Sequence, residues 1–296
     1  MFAGIIRNEE THTVKRLRAV CGFFLLLALL LALLSWYFTP KDNTPEAGIQ
    51  DYTASGFLAE EPDSLDYVIL GDSVPLCAFS PGVIGETGGI SGYVCATTGQ
   101  NLLKSERFLG DFLENQSPRV VILEANHLYR EFSLLDQGVS RLEDLLPLLR
   151  YHDGWKFLKP GRALSPVRYT CRIPERGYYE KEGVSPAPEG EYMIPGDGVT
   201  PVPDSSRRVL ARIQALCAQN GAELLLLSAP SAANWDYCSH NGTKAVAREL
   251  GIAYVDMNLE ETAIDWSLDT VDEGDHLNGS GARKASAWLA EYLSRQ

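Results

Sequence analysis

The fold is decided by the stretch Asp66-Tyr67-Val68-Ile69-Leu70-Gly71-Asp72-Ser73. Its first five residues predict a strand buried on both faces, because apolar side chains follow one another instead of alternating with polar ones. In an open parallel sheet, ligands bind outside the carboxyl ends of the strands. The stretch therefore predicts an α/β domain in which Ser73 stands at the ligand-binding edge of the sheet.

The chain beyond this strand alternates between short apolar runs and longer amphipathic segments. Apolar runs of five or six residues separated by helices are typical of a parallel sheet covered by helices on both faces. We therefore expect a three-layer α/β/α domain with a mostly parallel, flavodoxin-like sheet. The predicted strands are 66–70, 91–96, 119–124, 222–228 and 252–256, and the predicted helices are 99–115, 204–220, 242–250 and 279–295.

The alternation breaks between the third and fourth strands, at about 131–203. Helical patterns over 131–150 give way to a stretch rich in proline, glycine and tyrosine over 151–203. A long loop inside a compact domain is usually functional. Because this insertion falls at the edge where sheet ligands bind, we expect it to form a lid or a substrate wall.

An apolar segment precedes the domain. Residues 19–38 contain no charge, and their length as a helix spans about 30 Å of hydrocarbon. Basic side chains cluster before this segment, which places residues 1–18 in the cytoplasm and the large domain outside. Residues 39–63 have the composition of a linker to a domain over 64–296. We expect an uncleaved signal anchor; a cleaved signal peptide is the alternative, but the apolar run is long and no clear cleavage site follows it.

Charge and cysteine content exclude two classes of function. The chain has a formal net charge of −13, and nucleic-acid binding proteins need a basic surface. The five cysteines beyond the anchor lack the close pairs of a zinc site. Cys77 and Cys95 lie near predicted strand ends, where they are expected as small buried residues without a disulfide. Neither a metal nor a cofactor is expected.

A second polar block lies about two hundred residues after Ser73. Asp272-Glu273-Gly274-Asp275-His276-Leu277-Asn278 precedes the amphipathic C-terminal helix. A serine at the end of the first strand, combined with a histidine beside carboxylates near the end of the chain, is an arrangement for nucleophilic catalysis. Asp72 and Ser73 are also residue types that cap helices, which is the structural alternative for the first block.

Gly71-Asp72-Ser73 and the block around His276 resemble the SGNH (GDSL-type) hydrolase family over most of 64–296. The resemblance implies an SGNH-like sheet, with Ser73 as nucleophile and His276 as general base. A carboxylate three residues before the histidine usually orients it, but Glu273 stands there. Asp272 is favoured as the partner, since an adjacent side chain tends to point away from its neighbour. Asp275 is the competitor, with a helix cap or a solvated loop charge as its other interpretation.

The resemblance also implies an oxyanion hole, which must present donors to tetrahedral charge. Its donors are the backbone N–H of Ser73, the N–H of Gly99 after the second strand and the side chain of Asn126 after the third. Gly99 alternatively forms only a turn before the next helix. Asn126 alternatively bonds a neighbouring loop.

Two further segments, Tyr151-His152-Asp153-Gly154-Trp155-Lys156 and Arg176-Gly177-Tyr178, resemble a membrane-anchored bacterial branch of SGNH proteins. That branch is associated with membrane-bound O-acyltransferases in cell-envelope polymer modification. The resemblance implies an extracytoplasmic serine esterase or O-acyltransferase that acts on acyl, chiefly acetyl, esters of envelope polysaccharide, with a membrane-bound O-acyltransferase as partner. The alternatives are a plain surface esterase and a non-catalytic scaffold that binds polymer or partner.

Overall fold

The computed structural model of the chain describes residues 2–157, 161, 164–190 and 192–295, with side chains from Val14 onward. It forms two compact units, one of Met1–Ile49 with Gly138–Arg168 and the other of Gln50–Gln137 with Tyr169–Gln296. The strands are β1 Tyr67–Gly71, β2 Gly92–Ala96, β3 Val120–Glu124, β4 Glu223–Ser228, β5 Ala253–Asp256, β6 Thr270–Val271 and β7 His276–Leu277. The α-helices are α1 Phe2–Phe38, α2 Ser73–Ala78, α3 Pro81–Gly88, α4 Leu102–Leu113, α5 Leu134–Leu145, α6 Pro147–Arg150, α7 Asp204–Gln219, α8 Tyr237–Leu250 and α9 Gly279–Ser294.

The larger unit is built on a five-stranded parallel sheet in the order β2-β1-β3-β4-β5. The predicted α/β fold class is confirmed, and each predicted strand is found to within one residue at either end. The chain runs from β1 outward to β2 and then returns to β3 on the other side of β1. The carboxyl ends of β1 and β3 therefore flank a topological switch point, where open α/β sheets bind their ligands.

The two faces of the sheet bury separate apolar clusters, because successive side chains of a strand point to opposite faces. Val68 and Leu70 of β1 belong to the cluster covered by α4, α7 and α8. Tyr67 and Ile69 belong to the cluster covered by α2, α3 and α9. Every residue of β1 is buried. The strand that carries the serine is thus held from both sides.

The C-terminal block forms a small antiparallel hairpin rather than a sixth strand of the main sheet. In this hairpin β6 pairs with β7, with Val271 opposite His276. A loop of four residues, 272–275, connects the two strands. Because Val271 pairs with His276, the two residues that flank the loop lie opposite each other.

Two segments differ in detail from the sequence prediction. Phe57 is buried and packs its ring against Tyr93 and Phe112, so the larger unit begins inside the stretch predicted as a linker. The helix predicted from 242 begins at Tyr237, where Asp236 caps it by accepting the Ser239 N–H. In both segments the polar composition predicts irregular chain, whereas the structure has an ordered, packed element.

The later part of the predicted insertion runs as irregular chain bonded to the larger unit. The carbonyl of Arg176 accepts the N–H of Val94 in β2, and the N–H of Tyr179 donates to Leu76 in α2. Gly177 is in the left-handed region, with φ +87°, and a Cβ there would collide with the backbone of Val94. Part of the insertion is therefore fixed against the elements next to Ser73.

The smaller unit contains α1 and the first part of the insertion. The Val14–Phe38 part of α1 is long and apolar enough to cross a membrane, a property that signal anchors and signal peptides share. The N–H of Leu148, in α6, donates to the Ser35 hydroxyl at 3.4 Å. The N–H of Arg168 donates to the carbonyl of Lys41 at 2.8 Å.

Candidate active site

Ser73 lies where the sequence predicts it, directly after β1 at the carboxyl edge of the sheet. It is the first residue of α2 and is half-buried. Asp72 caps this helix, because its Oδ1 accepts the Val74 N–H at 3.0 Å. Of the two residues, Asp72 is therefore the one that caps the helix. The backbone N–H of Ser73 belongs to the first turn, whose N–H groups have no partner within the helix.

The turn from β1 into α2 is tight, and Gly71 makes it possible. A Cβ at position 71 would collide with the ring of Pro75 and with the Cβ of Glu124. Gly71 therefore lets β1 pass close to the end of β3 while the chain turns into α2. Any larger residue would displace the serine relative to β3.

Arg130 binds the serine turn and lies near the turn that follows the second strand. Its Nε and Nη2 donate to Asp72 Oδ2 at 3.2 and 3.1 Å, and Asp72 is almost completely buried. Its Nη1 lies 3.8 Å from the place where a Cβ on Gly99 would stand. Because the carboxylate is both paired and hydrogen-bonded, its burial is compensated. Sequence reasoning did not identify this arginine, because it lies in an irregular segment after β3 and its partner Asp72 is 58 residues away.

Both predicted oxyanion residues lie at the same edge of the sheet as Ser73. Gly99 is exposed in the turn after β2, in the left-handed region with φ +70°. Asn126 is half-buried and begins a 3₁₀ helix, Asn126–Tyr129, directly after β3. Its backbone N–H donates to Glu124 Oε1 at 2.9 Å. The fold thus brings the three segments that would supply the donors to one place.

His276 begins β7 and is buried. Its Nδ1 lies 3.0 Å from Asp272 Oδ2 in hydrogen-bonding geometry and 3.3 Å from Asp275 Oδ2. Among the described residues, its Nε2 is buried without a hydrogen-bond partner. A histidine that donates Nδ1–H to a carboxylate keeps a lone pair on Nε2, which is the form a general base needs.

The hairpin loop holds Asp272 in an uncommon backbone conformation. Asp272 and Glu273 have φ values of +54° and +58°, in the left-handed region that non-glycine residues rarely adopt. Gly274 follows with φ +87°. Strain of this kind persists only where the surroundings over-determine the conformation. Here the loop turns the Asp272 carboxylate back onto the histidine four residues later.

Lys181 is a further member of this cluster, contributed by the insertion. Its ammonium donates to Asp272 Oδ2 and lies 3.5 Å from Nδ1 of His276. The backbone N–H of Gly279 donates to the carbonyl of the same lysine. The pairing joins residues 91 positions apart within an irregular segment, so no local sequence pattern indicates it.

The two aspartates beside His276 differ in their electrostatic environment. The hydrogen bond from Lys181 holds the pKa of Asp272 below its ordinary value. Burial raises the pKa of Asp275, whose carboxylate also accepts a hydrogen bond from Asn234. Geometry and charge therefore both favour Asp272 as the group that orients the histidine, although its side chain is 51% exposed.

The serine helix and the histidine hairpin are in contact. Residues of α2 contact β7, and Val74 and Leu277 belong to one apolar cluster. No hydrogen bond reaches Nε2 of His276 among the described residues, so the serine hydroxyl is not bonded to this nitrogen. Catalytic hydrogen bonds are often long without substrate and shorten in the reacting complex.

A buried polar chain lies behind Asn126 and was missed by sequence reasoning. Nδ1 of His127 is 3.7 Å from Glu124 Oε2, and its Nε2 is 3.2 Å from the Ser105 hydroxyl. Gln100 donates to that hydroxyl at 2.9 Å. Burial raises the pKa of Glu124. An acid at the end of the apolar run of β3 was the available sequence signal.

The remaining predictions concern cysteines and metals. Cys77 and Cys95 are both buried, and burial raises the pKa of the Cys77 thiol to about 12, so this thiol one turn after Ser73 is a poor nucleophile. In the part of the chain that the structure describes, no group of three or more histidine, cysteine, aspartate or glutamate residues has metal-binding geometry.

Comparison with known proteins gives only distant structural similarity. No protein-family model matches the sequence, and no curated protein matches it. A GDSL-like lipase from Bacteroides thetaiotaomicron is 13% identical, with 82% of this chain and 96% of that chain covered and a TM-score of 0.41. A lipase/acylhydrolase from Enterococcus faecalis is 9% identical (78% and 96%, TM-score 0.42). An esterase from Pseudoalteromonas is 11% identical (78% and 96%, TM-score 0.40). At this distance no activity or residue role is carried over to this chain.

Proposed function

We propose that this chain is a membrane-anchored, extracytoplasmic serine esterase or O-acyltransferase that acts on acyl esters, with Ser73 as nucleophile and His276 as general base. One observation carries the proposal. The His276 ring is held through Nδ1 by Asp272, while its Nε2 is buried and unpartnered beside the helix that Ser73 begins. A buried imidazole nitrogen without a partner is costly unless a ligand or a reacting group meets it.

The proposed reaction proceeds in two steps. His276 Nε2 takes the hydroxyl proton of Ser73 as Oγ attacks the acyl carbonyl, and Asp272 stabilises the imidazolium that forms. The N–H groups of Ser73 and Gly99 and the side chain of Asn126 receive the negative charge on the carbonyl oxygen. As the tetrahedral intermediate collapses, the His276 imidazolium gives its proton to the departing alcohol and an acyl group remains on Ser73. A second alcohol or water then attacks the acyl group while His276 removes its proton, and that proton returns to Ser73 Oγ as the acyl group leaves.

The location of α1 favours transfer at the membrane surface. An uncleaved anchor with the larger unit outside keeps the serine close to a membrane-bound acyl donor, such as a membrane-bound O-acyltransferase. Cell-envelope polysaccharide carries the hydroxyl groups that would accept or lose the acyl chain, most simply acetyl. A soluble esterase would need no anchor.

The proposal is tested by trapping the acyl group. The full-length protein in detergent is incubated briefly with an isotopically labelled acetyl ester, quenched in acid and mapped by mass spectrometry. We expect the label on the peptide that contains Ser73 and none there in Ser73→Ala. Label on another residue would contradict Ser73 as the nucleophile. No label from folded wild-type protein over a series of esters would contradict the proposal and leave a polymer-binding scaffold.

The same experiment separates transfer from hydrolysis. Adding a polysaccharide with free hydroxyl groups gives acylated polymer if the enzyme is a transferase, and free acetate in unchanged yield if it is a surface esterase. Asn241→Ala, a change in α8 away from the serine turn, serves as the matched control. It is expected to react as the wild type does.

A further inference from the structure

The smaller unit presents an exposed apolar surface that the proposed catalytic site does not use. It is made of side chains from α5, α6 and the 3₁₀ helix His152–Phe157, each between 39% and 75% exposed. Its members are Val139, Leu142, Leu145, Leu149, Trp155 and Phe157. Large side chains gathered in this way on a soluble surface usually mark a contact with a partner or a membrane.

The sequence of α5 is amphipathic. Val139, Leu142 and Leu145 recur at intervals of three residues, which places them on one face. Ser140, Arg141, Glu143 and Asp144 fill the positions between them on the other face. No residue of α5 is buried within the described chain. A helix with one apolar and one charged face and no buried residue needs a surface on which to lie.

The bond between α6 and α1 fixes the depth of this surface. The N–H of Leu148 donates to the hydroxyl of Ser35, three residues before the end of α1 at Phe38. Trp36 is half exposed, and the ammonium of Lys41 lies 5.9 Å from the centre of its ring. Tryptophan and a basic residue at the end of an apolar helix are markers of the lipid–water interface. If α1 spans the membrane, α6 is held at the level of the outer headgroups.

We infer that this apolar surface lies on the outer leaflet of the membrane and contacts lipid chains near the headgroup boundary. The inference rests on the anchor in the proposed function, because only an inserted α1 brings α6 to that depth. Lipid is the occupant that the geometry favours, since α6 and the 3₁₀ helix His152–Phe157, which carry Leu149, Trp155 and Phe157, contact the membrane helix α1, and α6 is bonded to its outer end. Insertion to about 5–10 Å, typical of interfacial helices, covers side chains of this length.

Trp155 is a native reporter for the contact. The full-length protein is reconstituted into lipid nanodiscs that contain either ordinary lipid or lipid brominated near the headgroup end of its chains, which quenches nearby tryptophan. Wild type is compared with Trp155→Phe, with Trp36→Phe, and with Trp288→Phe, whose ring stacks on Tyr292 in the larger unit. Acrylamide quenching reports exposure to water in parallel.

We expect brominated lipid to quench the tryptophan fluorescence of the wild type. Trp155→Phe and Trp36→Phe should each remove roughly half of this quenching, since two interfacial tryptophans contribute to it. Trp288→Phe should leave it unchanged. A Trp155 signal that acrylamide quenches and brominated lipid does not, while Trp36 responds to lipid, overturns the inference and leaves a protein partner as the occupant. Loss of lipid quenching at both positions overturns the inference together with the anchor.

Ser73→Ala separates this inference from the proposed chemistry. The variant is expected to show the same lipid quenching as the wild type, because the serine lies in the larger unit and takes no part in the membrane contact. If the wild type shows the lipid quenching but traps no acyl group, only the catalytic proposal is refuted. If the wild type traps the acyl group but Trp155 is not quenched by lipid, only the lipid contact is refuted.

Discussion

The serine turn and the histidine hairpin are positioned by different means. Ser73 follows a strand whose residues are all buried between two apolar clusters. His276 stands in a hairpin of two-residue strands, held by a left-handed loop and by polar contacts with Asp272 and Lys181. The fold itself places Ser73, whereas local and partly exposed polar groups orient His276. Changes within the buried strand β1 should therefore act mainly on stability, and changes to the polar groups around His276 mainly on activity.

The largest effect is expected from removal of either reacting group. Ser73→Ala and His276→Ala are each predicted to lower ester turnover by about 10⁴-fold or more, because such groups act as a unit. Combining them should cost little beyond either single change. The measurement is single-turnover hydrolysis of an activated acetyl ester, with urea unfolding to show that the fold survives. Turnover within about tenfold of the wild type in either variant would refute a serine–histidine mechanism.

The next comparison is between the two aspartates of the hairpin. Asp272→Asn is predicted to lower turnover by about 10³- to 10⁴-fold, because an amide does not hold the imidazole in the required tautomer. Asp275→Asn should cost less than about tenfold, because the Asp275 carboxylate makes no hydrogen bond to His276 and bonds Asn234 instead. Glu273→Gln, between them, is the matched control. If Asp275→Asn lowered turnover more than Asp272→Asn, Asp275 would be the carboxylate that orients His276.

A change in β1, the strand before Ser73, should lower stability and leave turnover almost unchanged. Ile69→Ala is predicted to lower the free energy of unfolding by about 2–5 kcal/mol, because it leaves a cavity in a core with no solvent access. Urea titration measures it, and Leu259→Ala, a change at an exposed position, is the control. Turnover per folded molecule should stay near the wild type. A loss below about 1 kcal/mol would contradict the picture of a strand clamped from both faces.

The smallest expected effect concerns Lys181. Lys181→Met should lower stability at pH 7 by no more than about 1 kcal/mol, since the Asp272 carboxylate is half exposed. Because Lys181 depresses the pKa of folded Asp272, its contribution is present above the unfolded pKa and is lost as the pH falls through the folded pKa. The free energies of unfolding of wild type and Lys181→Met should therefore begin to converge below about pH 4 and become equal below the folded pKa of Asp272. A difference that grows on acidification would contradict this assignment.

Much of the fold is accessible from the sequence because the strands are buried on both faces. Runs such as Val120–Glu124 have no competing interpretation when helices separate them, and their ends are predicted to within one residue. Phe57 is different: it lies among proline, glycine and acidic residues, and its partners Tyr93 and Phe112 are distant in sequence. Composition alone assigned it to a linker.

The residues of the candidate site also differ in how far the sequence predicts them. The serine, glycine and asparagine positions follow strand ends, so parallel topology brings them together. Arg130 and Lys181 lie in loops, and their partners Asp72 and Asp272 are 58 and 91 residues away. Pairing over such separations depends on how the chain folds back, which no local period records. The choice between Asp272 and Asp275 likewise depends on backbone angles that sequence spacing does not contain.

The most direct test of the serine–histidine mechanism is fluorophosphonate labelling of the full-length protein in detergent, followed by peptide mapping. We expect a stoichiometric adduct on Ser73 in the wild type and in Glu273→Gln. The adduct should be absent in Ser73→Ala and formed far more slowly in His276→Ala and Asp272→Asn. Folded wild-type protein that stays unlabelled, or labelling that does not depend on His276, would contradict the claim that this histidine activates this serine.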